Sequence, residues 1–216
     1  MRKWAVMAVA GAVAGLLLLP PVSSAAETRF GLKIGLNLAD LHGADLALLE
    51  SEVFDAPFKT KLAFCGGGFI TFNLSNTMAI QAEALYTMKG SKLEAVVGTE
   101  TVTLSWITDY LEIPLLFKVM IPTKGRVQPF LFVGPALGIK LTGKLKAEGG
   151  GQSAEQTIEG LKSTDFGLVL GGGVDIGPKI RADFRYTLGL TKLIEEAGES
   201  LDIKNGVFSF MVGYAF

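Results

Sequence analysis

Residues able to carry out acid–base or nucleophilic chemistry are sparse in this sequence. His42 is the single histidine and Cys65 the single cysteine, so the chain has no intramolecular disulfide and no Cys/His cluster for a metal. An imidazole base needs a nucleophile and an orienting acid nearby, and Ser51 and Asp45 are close to His42 in sequence. Nothing else marks a triad. We therefore expect no enzymatic activity and no cofactor, with His42 in a loop and Cys65 a small buried residue.

Charged residues occur at alternating positions inside apolar segments. In residues 180–190, for example, Arg181, Asp183 and Arg185 alternate with aliphatic and aromatic residues, which is the period of a β-strand. The same pattern places these residues on one face of the predicted strands: Lys33, Glu83, Glu112, Lys118, Lys140, Asp175, Arg181, Asp183 and Arg185. Such a set could form an ion path, a binding site or a structural lumen network. Five basic and four acidic residues can nearly neutralise one another, and we favour the structural role.

The elements that would position these charges are eight predicted strands. They cover residues 30–38, 62–74, 78–89, 102–121, 126–145, 161–176, 180–190 and 207–216. Long connections (40–61, 90–101, 146–160 and 191–204) alternate with tight turns (75–77, 122–125 and 177–179). This asymmetry predicts an all-β fold, an eight-stranded antiparallel up-and-down transmembrane β-barrel, with periplasmic termini and long extracellular loops. Pro114, Pro129 and Pro135 predict locally irregular pairing, because proline lacks a ladder N–H.

The polarity of the two strand faces decides between a membrane barrel and a soluble one. A lipocalin-like carrier would turn its apolar face inward, but so many Phe, Leu, Ile and Tyr side chains would overfill a narrow eight-stranded barrel. With the charged face inward, glycines make room and opposite charges can pair. We therefore predict a polar lumen and a lipid-facing apolar wall. A net charge of −1 gives no reason to expect nucleic-acid binding.

Aromatic residues mark the predicted wall and its last strand. Residues 207–216 alternate between large and small side chains, and the large set predicts the C-terminal assembly signal: Phe208, Phe210, Val212, Tyr214 and Phe216. Further aromatic residues near strand ends predict interfacial girdles: Phe30, Phe72, Tyr86, Trp106, Tyr110, Phe117, Phe184, Tyr186, Tyr214 and Phe216.

The N-terminus has the pattern of a cleaved secretory signal peptide. Residues 1–3 are basic, residues 4–19 are apolar, two prolines follow, and residues 23–26 are small. The apolar run is shorter than the ~20 residues of a spanning helix. We predict a signal peptide at residues 1–26 and an outer-membrane β-barrel domain at residues 27–216.

Several segments resemble the PorT-like outer-membrane β-barrel family, often labelled porin family protein. They are GLKIGLNLAD, YLEIPLLFKV, PFLFVGPALG, DFGLVLGGGVDI, RADFRYTLGLTKL and the terminal FSFMVGYAF. The resemblance implies a barrel in the outer membrane of a Gram-negative bacterium. It also implies insertion by the barrel-assembly machinery, which reads a C-terminal aromatic strand. The named member of that family is linked to protein secretion.

Four functional hypotheses follow. The first is a structural, surface-interaction or secretion-accessory protein whose outer loops recognise a surface ligand or secretion partner. The alternative is a narrow porin-like channel for ions or small solutes. A soluble lipocalin-like carrier and a lipid-modifying enzyme using His42 are less favoured. The expected partners are outer-membrane lipid and the barrel-assembly machinery.

Overall fold

The computed structural model describes residues 28–46, 58–97, 100–158, 161–193 and 202–216. The predicted signal peptide and Ser51 lie outside these residues. The described chain contains β1 (Thr28–His42), β2 (Phe58–Asn73), β3 (Met78–Val97), β4 (Glu100–Met120), β5 (Val127–Gly149), β6 (Gln152–Thr157), β7 (Thr164–Ile176), β8 (Ile180–Gly189) and β9 (Lys204–Ala215). Within the described ranges, no helix is long and apolar enough to cross a membrane.

Eight of these strands form a closed antiparallel ring. Sequence neighbours pair from β1 to β5, β5 then pairs with β7, and β8 and β9 complete the ring back to β1. The short β6 pairs with the far part of β5 and lies outside the ring. Closure removes the free edges of the ring strands and lets their backbone groups pair with one another. The predicted eight-stranded barrel is confirmed, with one added strand.

The connections give the barrel two different ends. The short connections at residues 74–77, 121–126 and 177–179 lie at one end, and we call it the turn end. The first and last strands also meet there, since the amide of Phe216 donates to the carbonyl oxygen of Phe30 at 2.9 Å. The opposite end, called the loop end, carries the remaining connections. The predicted tight turns are confirmed, but the connections at the loop end are not all long, because only two residues separate β3 from β4 and β5 from β6.

Two segments predicted as loops are largely strand. β3 and β4 continue into the predicted loop 90–101, and β5 and β6 form a hairpin within the predicted loop 146–160. Gly90 lies inside β3 with a φ of 123°, a backbone conformation that glycine adopts readily and other residues rarely adopt. β3 therefore continues through Gly90 instead of ending there. Gly150 and Gly151 form the β5–β6 turn with positive φ values. In the sequence these glycines suggest the ends of strands. In the structure Gly90 lies within a strand, and Gly150 and Gly151 form a hairpin turn.

Pro114 and Pro135 lie where pairing is interrupted, as predicted, whereas Pro129 pairs with Val174 in an uninterrupted register. Between β3 and β4 the paired positions skip Pro114, passing from Leu115 to Glu112. Between β4 and β5 they skip Pro135, passing from Ala136 to Val133. Pro114 and Pro135 thus each occupy a position on one side of the strand where no ladder N–H is needed.

The wall is apolar outside and charged inside. On β1, the outward residues from Phe30 to Leu38 are 49–63% exposed, whereas Lys33 and Asn37 between them are 2% and 0% exposed. Corresponding outward apolar residues occur on the other ring strands. The observed polarity is the reverse of that of a lipocalin-like carrier, and the predicted polar lumen is confirmed.

Apolar residues also gather across the loop end of the lumen. Leu41, Leu161, Leu193 and Ile203 pack together, with Leu46, Trp106 and Ile158 against them. These residues come from opposite sides of the ring, so their cluster spans its opening; we call it the roof cluster. Trp106 and the fully buried Tyr110 therefore point inward, and their predicted place in an outward aromatic girdle is wrong.

Candidate functional site

The middle of the lumen holds a buried cluster of two cations and two carboxylates, which we call the central cluster. The Lys33 ammonium lies 2.8 Å from Glu83 Oε1 and 2.9 Å from Asp183 Oδ2. The Arg185 guanidinium lies 2.7 Å from Glu83 Oε2 and 2.7 Å from Asp183 Oδ1. Each carboxylate thus bridges both cations, and all four residues are at most 3% exposed. This mutual pairing offsets the large desolvation cost of burying the four charges.

Nearer the turn end lies a second group of ion pairs, the turn-end cluster. Asp175 accepts from Lys118 at 2.9 Å and from Arg181 Nε at 2.6 Å. Arg181 also donates to the side-chain oxygen of Gln81. The Gln81 amide donates in turn to Glu83 Oε1 at 2.5 Å, which connects this cluster to the central one.

Nearer the loop end lies a third group, the loop-end cluster. Lys89 Nζ lies 2.6 Å from Glu112 Oε2 and 3.4 Å from Asp165 Oδ2. Asn205 Nδ2 donates to the same Asp165 oxygen at 2.9 Å. Strands β3, β4, β7 and β9 thus meet across the lumen at this level.

Inward aromatic rings cover the lumen cations. Lys118 Nζ lies 3.5 Å from the ring centroid of Phe130, and the Arg185 guanidinium carbon lies 5.0 Å from that of Phe132. Phe69 lies within 5.5 Å of both Lys33 and Arg181. The electron-rich ring faces add to the stabilisation of cations removed from water.

Inward glycines make room for these rings. A Cβ atom on Gly171 would lie 2.6 Å from Phe132 Cζ, and one on Gly173 would lie 2.7 Å from Phe130 Cζ. Gly31 is related to Phe69 in the same way, with a separation of 2.6 Å. The glycine-rich β7 is therefore a surface on which the phenylalanine rings lie, in keeping with the prediction that its glycines relieve crowding.

The structure brings together eight of the nine charged residues that the sequence placed in the lumen network. Lys140 is separate, because its ammonium donates to the Leu161 carbonyl oxygen at 2.6 Å near the roof cluster. Lys89 and Asp165 were missed as charges of the network. Both could have been found from the alternation, which places Lys89 on the same face as Glu83 and Asp165 opposite to Phe166 and Leu168. Among the described residues, five cations and five carboxylates then form the three clusters: Lys33, Lys89, Lys118, Arg181, Arg185, Glu83, Glu112, Asp165, Asp175 and Asp183.

The arrangement is suited to closing the lumen rather than to opening it. At the central cluster, the side chains of β1, β3 and β8 meet directly through ion pairs. Leu116, Phe132 and Val169, at most 4% exposed, pack within the neighbouring inward cluster. Passage of an ion would require these salt bridges to separate, leaving buried charges unpaired at high energetic cost.

Cys65 and His42 lie at different levels of the barrel. Cys65 is buried against Leu85 and Met211 inside the barrel, as expected for a small buried residue. His42 ends β1 at the loop end rather than lying in a loop. The Asp45 carboxylate accepts from the backbone amide of Asp202 at 2.6 Å. Among the described residues, no group of three His, Cys, Asp or Glu side chains could hold a metal ion.

The outward side of the loop end carries exposed ion pairs. Glu94 Oε2 lies 2.6 Å from Lys59 Nζ, and its Oε1 lies 2.9 Å from Lys92 Nζ. Hydrogen bonds from Lys59 and then Lys92 lower the pKa of Glu94 to about 2. A hydrogen bond with Glu148 likewise raises the pKa of Lys146. The extended hairpins thus present both signs of charge beyond the apolar wall.

The last strand lies against the first and faces outward with its large residues. The residues of the predicted assembly signal, Phe208, Phe210, Val212, Tyr214 and Phe216, are 45–64% exposed. The rings of Phe216 and Phe30 are 5.5 Å apart between centroids. The smaller residues between them, including Ser209 and Met211, are buried in the lumen as predicted.

Comparison with known proteins gives a family match. A protein-family model described as "Outer membrane protein beta-barrel domain" matches residues 23–195. Comparison with curated proteins gave no match.

Similar solved structures have low sequence identity to this chain. One is Ail, the attachment invasion locus protein of Yersinia pestis, in complex with the heparin analogue sucrose octasulfate (16% identity, 88% of this chain, 99% of that chain, TM-score 0.43). Another is Neisserial surface protein A (16% identity, 87% and 97% coverage, TM-score 0.41). A third is OprG from Pseudomonas aeruginosa (13% identity, 88% and 94% coverage, TM-score 0.41).

Proposed function

The chain belongs to the outer membrane protein beta-barrel domain family, and from this premise we propose that it is a non-enzymatic interaction protein. The barrel anchors the chain in the outer membrane, and the loop end carries recognition of a surface ligand or a secretion partner. The observation that carries this proposal is the filled lumen. Its three ion clusters connect opposite walls, so the parts free to recognise another molecule are the hairpins and connections beyond the apolar wall.

Single-channel recording in planar bilayers tests this proposal against the narrow-channel alternative. Purified, folded protein should give no discrete conductance steps, because the central cluster blocks the lumen. Discrete steps in the native protein that change in size in the Arg185→Leu or Glu112→Gln variant would overturn the proposal and favour a channel. Arg185 and Glu112 are both buried in the lumen, and each substitution removes one charge from the lumen.

We also propose that the turn end is periplasmic and the loop end extracellular. A cleaved signal peptide at residues 1–26 and a barrel domain at residues 27–216 would leave the new N-terminus beside Phe216 at the turn end. Short periplasmic turns and longer external connections are usual in outer-membrane barrels. Labelling intact cells with a membrane-impermeant amine reagent should modify Lys144 of the β5–β6 hairpin but spare Lys124 in a turn-end connection. The reverse pattern would overturn this orientation.

More narrowly, we propose that the chain is a PorT-like barrel inserted by the barrel-assembly machinery. Two segments that carry this resemblance, YLEIPLLFKV and PFLFVGPALG, lie on β4 and β5 and pair directly, with Pro114 opposite Ala136. Deleting the gene in the native organism tests the secretion-accessory role. Reduced export of surface enzymes, restored by the intact gene, would support it; unchanged export would remove it.

A further inference from the structure

We propose that the loop-end cluster binds one small monovalent cation between β7 and β9, with Asp165 and Asn205 as its first ligands. The two side chains are joined by the 2.9 Å hydrogen bond from Asn205 Nδ2 to Asp165 Oδ2. Their other oxygens, Asp165 Oδ1 and Asn205 Oδ1, are buried and have no hydrogen-bond partner. Carboxylate and amide oxygens are suitable ligands for hard cations.

Further buried oxygens without a hydrogen-bond partner lie on β1 and β3. Asn37 Oδ1 on β1 and Ser91 Oγ on β3 are also buried without a partner, in residues that are 0% exposed. The side chain of Asn37 donates to Thr87 Oγ1 at 2.8 Å, so its nitrogen is satisfied while its oxygen is not. Buried polar atoms are normally paired, and acceptors left without donors indicate a missing positive or donating group.

The central cluster provides an internal comparison. The carboxylate oxygens of Glu83 and Asp183 are all engaged by Lys33, Arg185 or Gln81. The lumen is therefore not generally deficient in hydrogen-bond donors. Asp165 Oδ1 and Asn205 Oδ1 at the loop-end cluster differ from these oxygens in having no partner, and the 3.4 Å separation between Lys89 and Asp165 is also long for an ion pair.

The charge of the loop-end cluster favours a cation as the missing group. Lys89 faces two carboxylates, those of Glu112 and Asp165, and its shorter contact is to Glu112. Lys140, on the neighbouring β5, turns its ammonium to the Leu161 carbonyl oxygen. One bound monovalent cation would balance the cluster, whereas a divalent ion would reverse its charge beside the Lys89 ammonium.

The position of the site explains how a cation would be retained. The central cluster closes the lumen on one side, and the roof cluster, with Leu41, Trp106 and Leu161, covers the other. Surrounding apolar groups lower the local dielectric and strengthen the attraction between a desolvated cation and the Asp165 carboxylate. Entry would take place from the loop end, past the roof cluster.

Thermal unfolding of the folded barrel in neutral detergent tests the site. Samples in NaCl, KCl, NH4Cl or N-methylglucamine chloride at equal ionic strength should differ, with at least one small cation raising the midpoint by about 2–4 °C over the bulky one. The Asp165→Asn variant should lose this difference, and Glu155→Gln, which removes an exposed partner of Lys144, should retain it. Equal midpoints in all four salts, or full cation dependence in Asp165→Asn, would overturn the proposal.

A measurement on the native protein covers the case in which Asp165→Asn does not fold. The 23Na resonance should broaden on adding folded barrel and sharpen when excess K⁺ or NH4⁺ competes. The Ser91→Ala variant, which removes one unpartnered hydroxyl, should weaken this broadening. Absence of broadening together with an infrared band of a protonated buried carboxyl would show that a proton occupies the position, and would likewise overturn the proposal.

Discussion

Arg185 occupies the position in the lumen where loss of a single charge is most costly. It pairs with both Glu83 and Asp183, and Lys33 alone would have to neutralise them in its absence. We expect Arg185→Leu to lower the free energy of unfolding by about 3–5 kcal/mol, as for other broken buried ion pairs. Urea unfolding in phospholipid vesicles measures this value.

The matched control is Lys144→Leu on the outer side of the β5–β6 hairpin. Lys144 and Glu155 are 3.2 Å apart, with both side chains nearly half exposed. Solvent screens such pairs, so the loss should stay below about 1 kcal/mol. An equally small loss for Arg185→Leu would show that water reaches the central cluster.

Gly171 is one of the inward glycines whose replacement would disturb a cation–ring contact. A Cβ atom there would lie 2.5 Å from the Phe184 carbonyl oxygen and 2.6 Å from Phe132 Cζ, so Phe132 would move from its place over Arg185. We expect Gly171→Ala to destabilise the barrel by about 1–3 kcal/mol, the usual cost of overpacking. Gly125→Ala is the control, because a Cβ atom there would lie 4.0 Å from the backbone nitrogen of Val127. Equal midpoints of urea unfolding for the two variants would contradict this role.

Glu94 should titrate unusually for an exposed carboxylate. Hydrogen bonds from Lys59 and Lys92 lower its pKa from 4.5 to about 2. A depressed folded-state pKa contributes stability that is present above about pH 4.5 and is lost as the pH falls toward 2. Carboxyl NMR should follow this titration, and Lys59→Ala should raise the pKa. An unchanged pKa in that variant would contradict the assigned cause.

At the scale of the strand, the last element combines a lipid-facing surface with ring closure. Phe216 contacts the rings of Phe30 and Tyr214, and its amide donates to the Phe30 carbonyl oxygen. We expect Phe216→Ser to reduce the amount of heat-modifiable folded barrel in outer membranes several-fold. Ile176→Ser, at the turn end of β7, places the same polar group on another outward position and should assemble nearly normally. Equal losses would indicate a general cost of polarity on the wall.

Strand faces could be predicted because they depend on a local period of two. The alternation in β7, β8 and β9 placed their inward and outward residues, and the turns at 75–77, 122–125 and 177–179 were also recognised. The continuation of β3 past Gly90 was missed, since a glycine followed by polar residues looks the same in a loop and in a solvent-facing hairpin.

Contacts within the lumen could not be predicted, because they depend on side-chain reach across the ring. Lys33 meets Glu83, fifty residues away, and Asp183, one hundred and fifty residues away. The alternation of residues predicts that the Lys140 side chain leaves β5 on the inward face. It does not predict that the ammonium turns to the Leu161 carbonyl oxygen, because that contact depends on the position of the roof cluster. The unpaired oxygens of Asn37 and Asn205 likewise arise from tertiary geometry.

At the scale of the whole molecule, Cys65 provides a native test of whether the lumen is closed. Its thiol lies inside the barrel against Leu85 and Met211, and the residue is 2% exposed. A small, charged methanethiosulfonate reagent should leave Cys65 unmodified in the folded barrel and modify it fully after heating in SDS. Mass spectrometry of the intact protein distinguishes the two states without any substitution.

The same reaction can show which structure keeps the reagent out. Arg185→Ala removes the large side chain of the central cluster, whereas Trp106→Ala removes part of the roof cluster at the loop end. If the reagent enters from the loop end, Trp106→Ala should accelerate modification of Cys65 more than Arg185→Ala does. Rapid modification of the native folded barrel would contradict a closed lumen and favour the channel alternative.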